Sequence, residues 1–532
     1  MATKTTRANQ VEVRVCGSST YGRYAKQSVE RTLNQFISDD FLINFAGYRK
    51  VLQLFAQGQG RGIFRSIRGD FLLVVINATV YTLNSALAPT FIGILNSNNG
   101  EVYIDENLSD QICIVDGVNA YIYNHSIPPN LTVQALGGGL VPNYVTYHNT
   151  FFLFGNGALA AQGSAWYAYS YASVTTITQT TQLALQTKPD YAIAIKRIPG
   201  QSANVLVFGT AVCEVHQQIG GLLNYKRNNT ISVDYGCLNV STIDSADQYI
   251  IWLAVNEFNA PVIMMYSGQG AQQISSDGIS YELGQIQYPQ DSTAAFIRVD
   301  GHLMYQLTFY NPADNITYLY DVTEQKFFNL TDQDMNYHPA RKYAYFNQQT
   351  YFVSLNNASV YNISTNITEI NENLPGNNDP ALIHDMQFIR ITNTIRQDDN
   401  GRFIAQRFSF TLEQGCDPAF QALQAGELNI IDELIQNDEV MNILDENGYP
   451  LIMENNPPAF PVAYQPRVDL TISLDSGITW SNTVSYPLQP LGYRKNIINW
   501  DQLGAANEMT FKLRFWGLSR WVANKGVLEV RT

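Results

Sequence analysis

Charge is scarce in this chain. Asp, Glu, Lys and Arg make up 15% of its 532 residues, against about a quarter in ordinary globular domains, which excludes a coiled coil or a charge-laced helical repeat. Basic residues are scarcer still: 32 Lys and Arg stand against 46 Asp and Glu, for a net charge of −14, so a broad basic face gripping nucleic acid is excluded. The five cysteines, Cys16, Cys113, Cys213, Cys237 and Cys416, form no CxxC pair. Buried thiols are therefore expected rather than a disulfide framework or a zinc site. Apolar runs such as Leu72–Ile76 and Val262–Tyr266 are far too short to span a bilayer, and MATKTTRANQ lacks the apolar core of a signal peptide. A cytoplasmic, membrane-free protein is expected, and the N-x-S/T triplets at Asn77, Asn107, Asn130, Asn315, Asn329 and Asn366 then reflect composition rather than glycosylation.

What stands in place of charge is strand-forming text. Thirty-two Tyr and 26 Phe favour β-structure, and 36 Gly with 20 Pro supply turns. From about residue 60 to 375 short apolar or alternating runs recur between Gly, Asn and Asp turns: FLLVVINATVYTL after Asp70, ICIVDGVNAYIYN after Gln111, IIWLAVNEF after Tyr249. Equivalent runs return about every 40 to 50 residues, the period of propeller blades. The expected fold is all-β: a six- or seven-bladed β-propeller over residues 61–377, preceded by an N-terminal arm, 1–60. An antiparallel β-sandwich follows over 378–532, with FIRITNTI, VDLTISLDSGITW and FKLRFWGL among its strands.

That sandwich is interrupted at 415–463, where apolar residues follow helical spacing: Leu428, Ile431, Leu434, Ile435, Met441 and Leu444. The insertion holds nine acidic and no basic residues, including Asp432, Glu433, Asp438 and Glu439, whereas residues 1–70 carry +6 and 464–532 carry +3. Such segregation suits complementary assembly surfaces. Leu428, Ile431, Asp432, Glu433, Ile435, Asp438, Glu439, Met441 and Leu444 are accordingly a candidate partner interface, with a basic partner expected.

Catalytic constellations are not apparent. Ser473, Asp475, Gly477, Thr479 and Trp480 form an S-x-D-x-G-x-T-W Asp box, expected to be a structural hairpin in which the side chains tie the turn and Gly477 supplies an unusual φ. Gly58-Gln-Gly60-Arg-Gly62 has no following helix or Lys-Ser/Thr, and Ser267 lacks the context of a nucleophile elbow. The six histidines are scattered, with His384-Asp385 the one adjacent acid–His pair. No catalytic residue, cofactor or metal is expected.

Three stretches carry a family resemblance. They are Tyr21-Gly-Arg with Ser28-Val-Glu30-Arg31-Thr32-Leu-Asn34-Gln-Phe36 and Phe45-Ala-Gly47-Tyr48; Val262-IMMYSGQGAQQISSDGISYEL; and Leu491-Gly-Tyr493-Arg494-Lys495 with Trp500-Asp-Gln-Leu-Gly504 and Phe511-Lys-Leu-Arg514. In this order they resemble the packaged-DNA-stabilization, head-closure or tail-hub proteins of short-tailed bacteriophages. Ala46 departs from the usual Pro, and the acidic insertion is foreign to the pattern. The resemblance implies a structural virion protein, not an enzyme, that forms a six-fold ring with itself beneath the portal and its adaptor. Such a ring would close or extend the channel through which packaged double-stranded DNA passes without sequence-specific binding, and would carry distal tail, needle or fibre proteins. The alternative is a carbohydrate-binding or glycoside-cleaving tail propeller, suggested by the Asp box and the 12% aromatic content.

Overall fold

The computed structural model describes residues 9–22, 30–127, 131–157, 164–220, 224–268, 270–397, 400–414, 466–488, 495–517 and 520–531. Its middle strands explain the apolar runs. Leu72–Ile76 is buried at every position, because alternate side chains enter different cores. Leu72, Val74 and Ile76 pack with Phe346, Val353 and Val360 on one side, while Leu73 and Val75 pack with Ile112, Ile114 and Tyr121 on the other. A sheet covered on both faces needs no polar alternation.

Repeated around an axis, this packing makes a β-propeller of seven blades among the described residues. Blades 1 to 5 are each built from one continuous stretch. Blade 1 is Gly60–Arg65, Leu72–Ile76, Thr79–Leu83 and Pro89–Ile94; blade 2 is Tyr103–Glu106, Gln111–Val115, Ala120–Asn124 and Leu131–Val133; blade 3 is Pro142–His148, Phe151–Asn156, Ala165–Ser173 and Thr176–Ala184. Blade 4 runs from Ala194–Arg197 to Tyr225–Val233, and blade 5 from Gly236–Cys237 to Ala271–Gln273. Side chains stitch neighbours together: Gln111 Nε2 donates to Ser173 O at 2.7 Å, Asn149 Nδ2 to Ser202 O at 3.0 Å, and Gln201 Nε2 to Gly268 O at 2.7 Å.

Blades 6 and 7 borrow from the N-terminal region. Ala340–Phe346, Gln349–Ser354 and Ser359–Ser364 supply three strands of blade 7, and Gly47–Gln53 pairs antiparallel with the third to supply the fourth. Blade 6, Ser292–Val299 to Lys326–Leu330, continues through Arg31–Leu33 into Phe388–Ile391, Glu508–Trp516, Arg467–Ser473 and Val484–Pro487. A second sheet, Gln35–Ser38, Phe41–Asn44, Trp521–Arg531, Phe403–Gln414 and Lys495–Ala506, also takes Asn9–Val13. The two C-terminal sheets meet through stacked rings, Phe408 on Phe511 at 4.5 Å and Phe515 on Trp521 at 4.1 Å.

Two expectations are corrected here. Residues 1–60 are not a separate arm, because strands at 9–13, 31–33, 35–38, 41–44 and 47–53 pair within both bodies of the chain. Nor does a boundary near 377 separate propeller from sandwich, since the sheet of blade 6 runs on without a break. The reason is the edge: an outer strand left bare would expose a row of unpaired N–H and C=O groups, and Arg31–Leu33 covers it. Asn34, with φ 56°, turns the chain from one sheet to the other. Its side chain donates to Thr331 Oγ1 and accepts from Thr331 N, both at 2.9 Å.

Candidate functional site: the propeller axis and the C-terminal loops

The innermost strand of each blade faces the axis, so charges within a first strand can be presented there. Lys196, in AIKR, and Lys342, in ARKYAYF, are such residues. They line a cavity of about 250 Å³ with Glu101, Tyr103, Tyr144 and Asp244. Lys342 Nζ lies 3.0 Å from Glu101 Oε1 and donates to Ser241 O at 3.3 Å and to Ala294 O, so one ammonium joins blade 7 to blades 5 and 6 and to the stretch entering blade 2. Thr293 Oγ1 donates to Glu101 Oε2 at 2.7 Å. Burial pushes the Glu101 carboxyl up, against the pull of Lys342 and Arg341. Lys196 donates to Tyr144 OH at 3.0 Å. Burial alone would lower its pKa, yet Tyr144 and Asp244 outweigh it and hold the ammonium at about 12.

Aspartates complete this belt by reaching to the next blade. Asp105 Oδ2 accepts from Tyr147 N at 2.7 Å, and Asp244 Oδ2 from Phe296 N at 2.9 Å. The axial charges are thus engaged as cross-braces, and the cavity they line is far too small to admit a nucleic-acid duplex. Among the described residues no group of three or more His, Cys, Asp or Glu could hold a metal ion, and no helix is long and apolar enough to cross a membrane.

A second buried charge fixes the joint between propeller and C-terminal sheets. Arg390 Nε donates to Val15 O, one terminal nitrogen to Ser18 O and Thr32 Oγ1, and the other to Arg14 O and, at 2.6 Å, to Glu30 Oε2. Both partners of this ion pair are buried, at 0% and 3% exposure. Gly17 is required beside it, since a Cβ there would lie 2.0 Å from the guanidinium.

The Asp box connects Arg467–Ser473 to Val484–Pro487. Asp475 Oδ1 accepts from Ser473 Oγ at 2.7 Å and from Thr479 N at 2.8 Å, and Oδ2 accepts from Thr479 Oγ1 at 2.6 Å. Ser473 Oγ accepts from Gly477 N at 2.7 Å, and Gly477 has φ 92°. The Thr479 hydrogen bonds, foremost, and that from Ser473 hold the Asp475 carboxyl down at about 2. Trp480 is half-buried with the Lys512 ammonium 5.4 Å from its ring centre. The carboxylate of Asp475 is engaged by Ser473, Ile478 and Thr479 of its own turn. Leu428, Ile431, Asp432, Glu433, Ile435, Asp438, Glu439, Met441 and Leu444 lie outside the described residues.

Sequence reading missed three acid–His pairs: Glu214 Oε2 with His216 Nε2 at 2.9 Å, Asp321 Oδ2 with His302 Nδ1 at 2.7 Å, and Glu106 Oε1 with His125 Nε2 at 3.1 Å. The first had a signal, because residues i and i+2 of a strand share a face. Glu214 also accepts from Gln186 N at 2.8 Å and Thr187 N at 2.5 Å. His216 and these donors outweigh its desolvation and hold the carboxyl at about 2.

Solved structures similar to this chain include virginiamycin B lyase from Staphylococcus aureus, at 10% identity over 59% of this chain and 97% of that one, with a TM-score of 0.41. A streptogramin B lyase, at 9% over 60% and 97%, has a TM-score of 0.40, and the WD40 β-propeller domain of Doa1, also at 9% over 60% and 97%, has 0.38. Among curated proteins none matches the sequence. The family model described as bacteriophage P22 Gp10, β-propeller, a phage-stabilisation family, matches residues 27–368, from ahead of the strand shared with blade 6 to past the last strands of blade 7, and the chain belongs to that family.

Proposed function

We propose that this phage structural protein forms a ring, of six copies, beneath the portal and its adaptor. There it closes or extends the DNA channel and carries distal tail, needle or fibre proteins. Membership of the phage-stabilisation family gives the setting, and the narrow propeller axis is the observation that carries the reading. The axial cavity of about 250 Å³, lined by Lys342, Glu101, Lys196 and Tyr144, is far too small for a duplex, so DNA has to pass between copies, which calls for a closed ring rather than a perforated monomer. A chain of net charge −14 suits a channel wall, because a basic bore would hold phosphates and stall the duplex. The chain works without catalysis or cofactor, and its acidic insertion, 415–463, engages a basic neighbour.

The test is a phage in which this gene product is depleted. Particles lacking it should lose packaged DNA to added nuclease, and supply of the intact chain should restore retention. Particles that keep their DNA without the protein would defeat the proposal. Replacing 418–462 by a short Gly/Ser linker tests the insertion: particles should retain the ring and lack a distal component, whereas fully infectious particles would show that the insertion contacts nothing essential.

A further inference from the structure

The seven outer blade edges are guarded unequally. An exposed edge strand invites pairing with another chain unless it is short, charged, broken by proline or covered. Arg31–Leu33 covers the edge of blade 6, and Glu369–Asn371 that of blade 7. Blades 2 and 5 end in strands of three residues, and the outer strand of blade 4 carries Lys226 and Arg227. Blade 1 ends in six residues that open on Pro89. Blade 3 is different: Thr176–Ala184 is nine residues long, without charge or proline, and exposes Thr178, Gln179, Thr180 and Gln182. Among the described residues no further strand adds to it. Its ladder shifts register twice, opposite Gln179–Thr181 and opposite Thr176–Ile177, and single shifts are also present in the outer strands of blades 1 and 4.

The outer strands of this sector lie in stretches without charge. Residues 71–100 and 117–187 contain no Lys, Arg, Asp or Glu, and the acids between them, Glu101 to Asp116, precede the outer strand of blade 2. On its rim Phe91, Ile94, Val133, Tyr171 and Val174 are between 42% and 64% exposed. The surface is continuous: a Cβ on Gly93 of blade 1 would lie 2.8 Å from Leu131 of blade 2. Gln134, just past blade 2, donates from Nε2 to Thr175 O at 2.9 Å and accepts from Ile177 N at 3.2 Å.

We propose that the rim of blades 1 to 3 is a contact between copies of this chain, in which the edge Thr176–Ala184 pairs with an extended segment of a second copy. Charge decides the occupant. Two chains of −14 repel over most of their surfaces and meet at least cost where neither sign is present, while a strongly basic or acidic partner would find no complement here. Main-chain pairing supplies the attraction, and the apolar rim residues are buried beside it. The inference rests on the ring reading and names one side of its subunit contact.

The experiment uses the purified full-length chain. Sedimentation velocity across a concentration series should give multimers, and amide exchange within 176–184 should be slow in the multimer and fast on dilution. Thr178→Lys with Gln182→Lys should raise the concentration needed for assembly by about tenfold or more with an unchanged melting temperature, whereas Asn229→Lys on blade 4 should not. Three results would overturn the proposal: assembly of the double variant like the parent, equal weakening by Asn229→Lys, or protection of 176–184 only when another virion protein is added. If the double variant does not fold, the exchange of the parent decides, and an unprotected edge in the multimer overturns it. A multimer that forms through another surface leaves the ring reading standing; a parent that is monomeric alone and in particles removes both.

Discussion

Blades 1 to 5 and blades 6 and 7 solve the same packing problem with different stretches of chain. In the first group four strands follow one another, so each blade is complete before the next begins. In the second, Gly47–Gln53 closes blade 7 and Arg31–Leu33 extends blade 6, although some 300 residues of chain lie between partners such as Leu33 and Asn329. The difference teaches where the circle is locked. Local blades can pair early, whereas closure waits for contacts distant in sequence and carries their loop-closure entropy. The contrast can be broken most severely by deleting residues 1–53. Blade 7 would lose its outer strand, and blade 6 and the C-terminal sheets would lose their shared one, so the product is expected to be insoluble; a soluble, cooperatively melting deletion would show that closure is not needed.

A smaller blow falls on the lock itself. Glu30→Ala would leave the Arg390 guanidinium buried without its carboxylate, and breaking a buried pair from one side costs about 3–5 kcal/mol. Chemical denaturation should show that loss. Amide exchange should rise first around residues 9–22, whose carbonyls Arg390 holds, before it rises in blades 1 to 5. Uniform loosening of all blades would contradict a local lock.

Acid should act on the borrowed strand as well. His338 packs against Tyr48 and Phe352, with ring centres 5.3 and 5.7 Å away, and burial pushes its pKa down to about 3. A base kept neutral in the fold costs nothing above its unfolded pKa near 6.5. As pH falls below that value the unfolded chain takes up a proton that the native state refuses, so stability is lost progressively until about pH 3. The loss is of the order of 4 kcal/mol at about 1.4 kcal/mol per pH unit. His338→Gln should remove most of this slope between pH 6 and 4 in denaturation midpoints. An unchanged slope would assign the acid sensitivity to other groups.

How much of this was legible follows the same division. The repeat rhythm and the doubly buried runs, such as Leu72–Ile76 and Ile112–Val115, identify blades because their period and apolarity are local properties. The fourth strand of blade 7 was not legible as such. GYRKVLQ reads as one more strand, and the hint lay in the count, since only three runs fill 340–364. The axial braces were visible as charges, Lys196 and Lys342, but a linear text does not say that first strands of different blades face one another. FIRITNTI is legible as a strand, but nothing in its alternation tells that Arg390 points into the joint with 0% exposure. The candidate interface at 415–463 rests on composition and helical spacing alone.

The axis offers a gentler comparison, between a brace and a blade. Lys342 joins blade 7 to blades 5 and 6 and to Glu101, so Lys342→Met should leave Glu101 buried beside Thr293 without its cation, at about 2–3 kcal/mol. Adding Glu101→Gln should recover part of that loss, because the neutral amide no longer needs the ammonium. The coupling from the double-mutant cycle is expected to be about 1–2 kcal/mol. Simple additivity of the two substitutions would mean that the ion pair contributes little and that the backbone acceptors, Ser241 O and Ala294 O, hold Lys342 in place.

The smallest effect is expected at the Asp box, where the ties are confined to one exposed turn. Asp475→Ala removes the acceptor of Ser473 Oγ, Ile478 N, Thr479 N and Thr479 Oγ1, yet Arg467–Ser473 keeps its pairing with Glu508–Trp516 on one side and with Val484–Pro487 on the other. The variant should therefore show faster amide exchange at 477–479 and an almost unchanged global unfolding midpoint. The carboxyl is held at about 2, below its ordinary value near 3.8, so its contribution is complete above pH 4 and fades as pH falls towards 2. Amide exchange at 477–479 in wild type and Asp475→Asn should diverge above that window and converge below it. Loss of the whole C-terminal body at neutral pH in Asp475→Ala would show that this turn, rather than the buried Arg390–Glu30 pair, governs the stability of the joint.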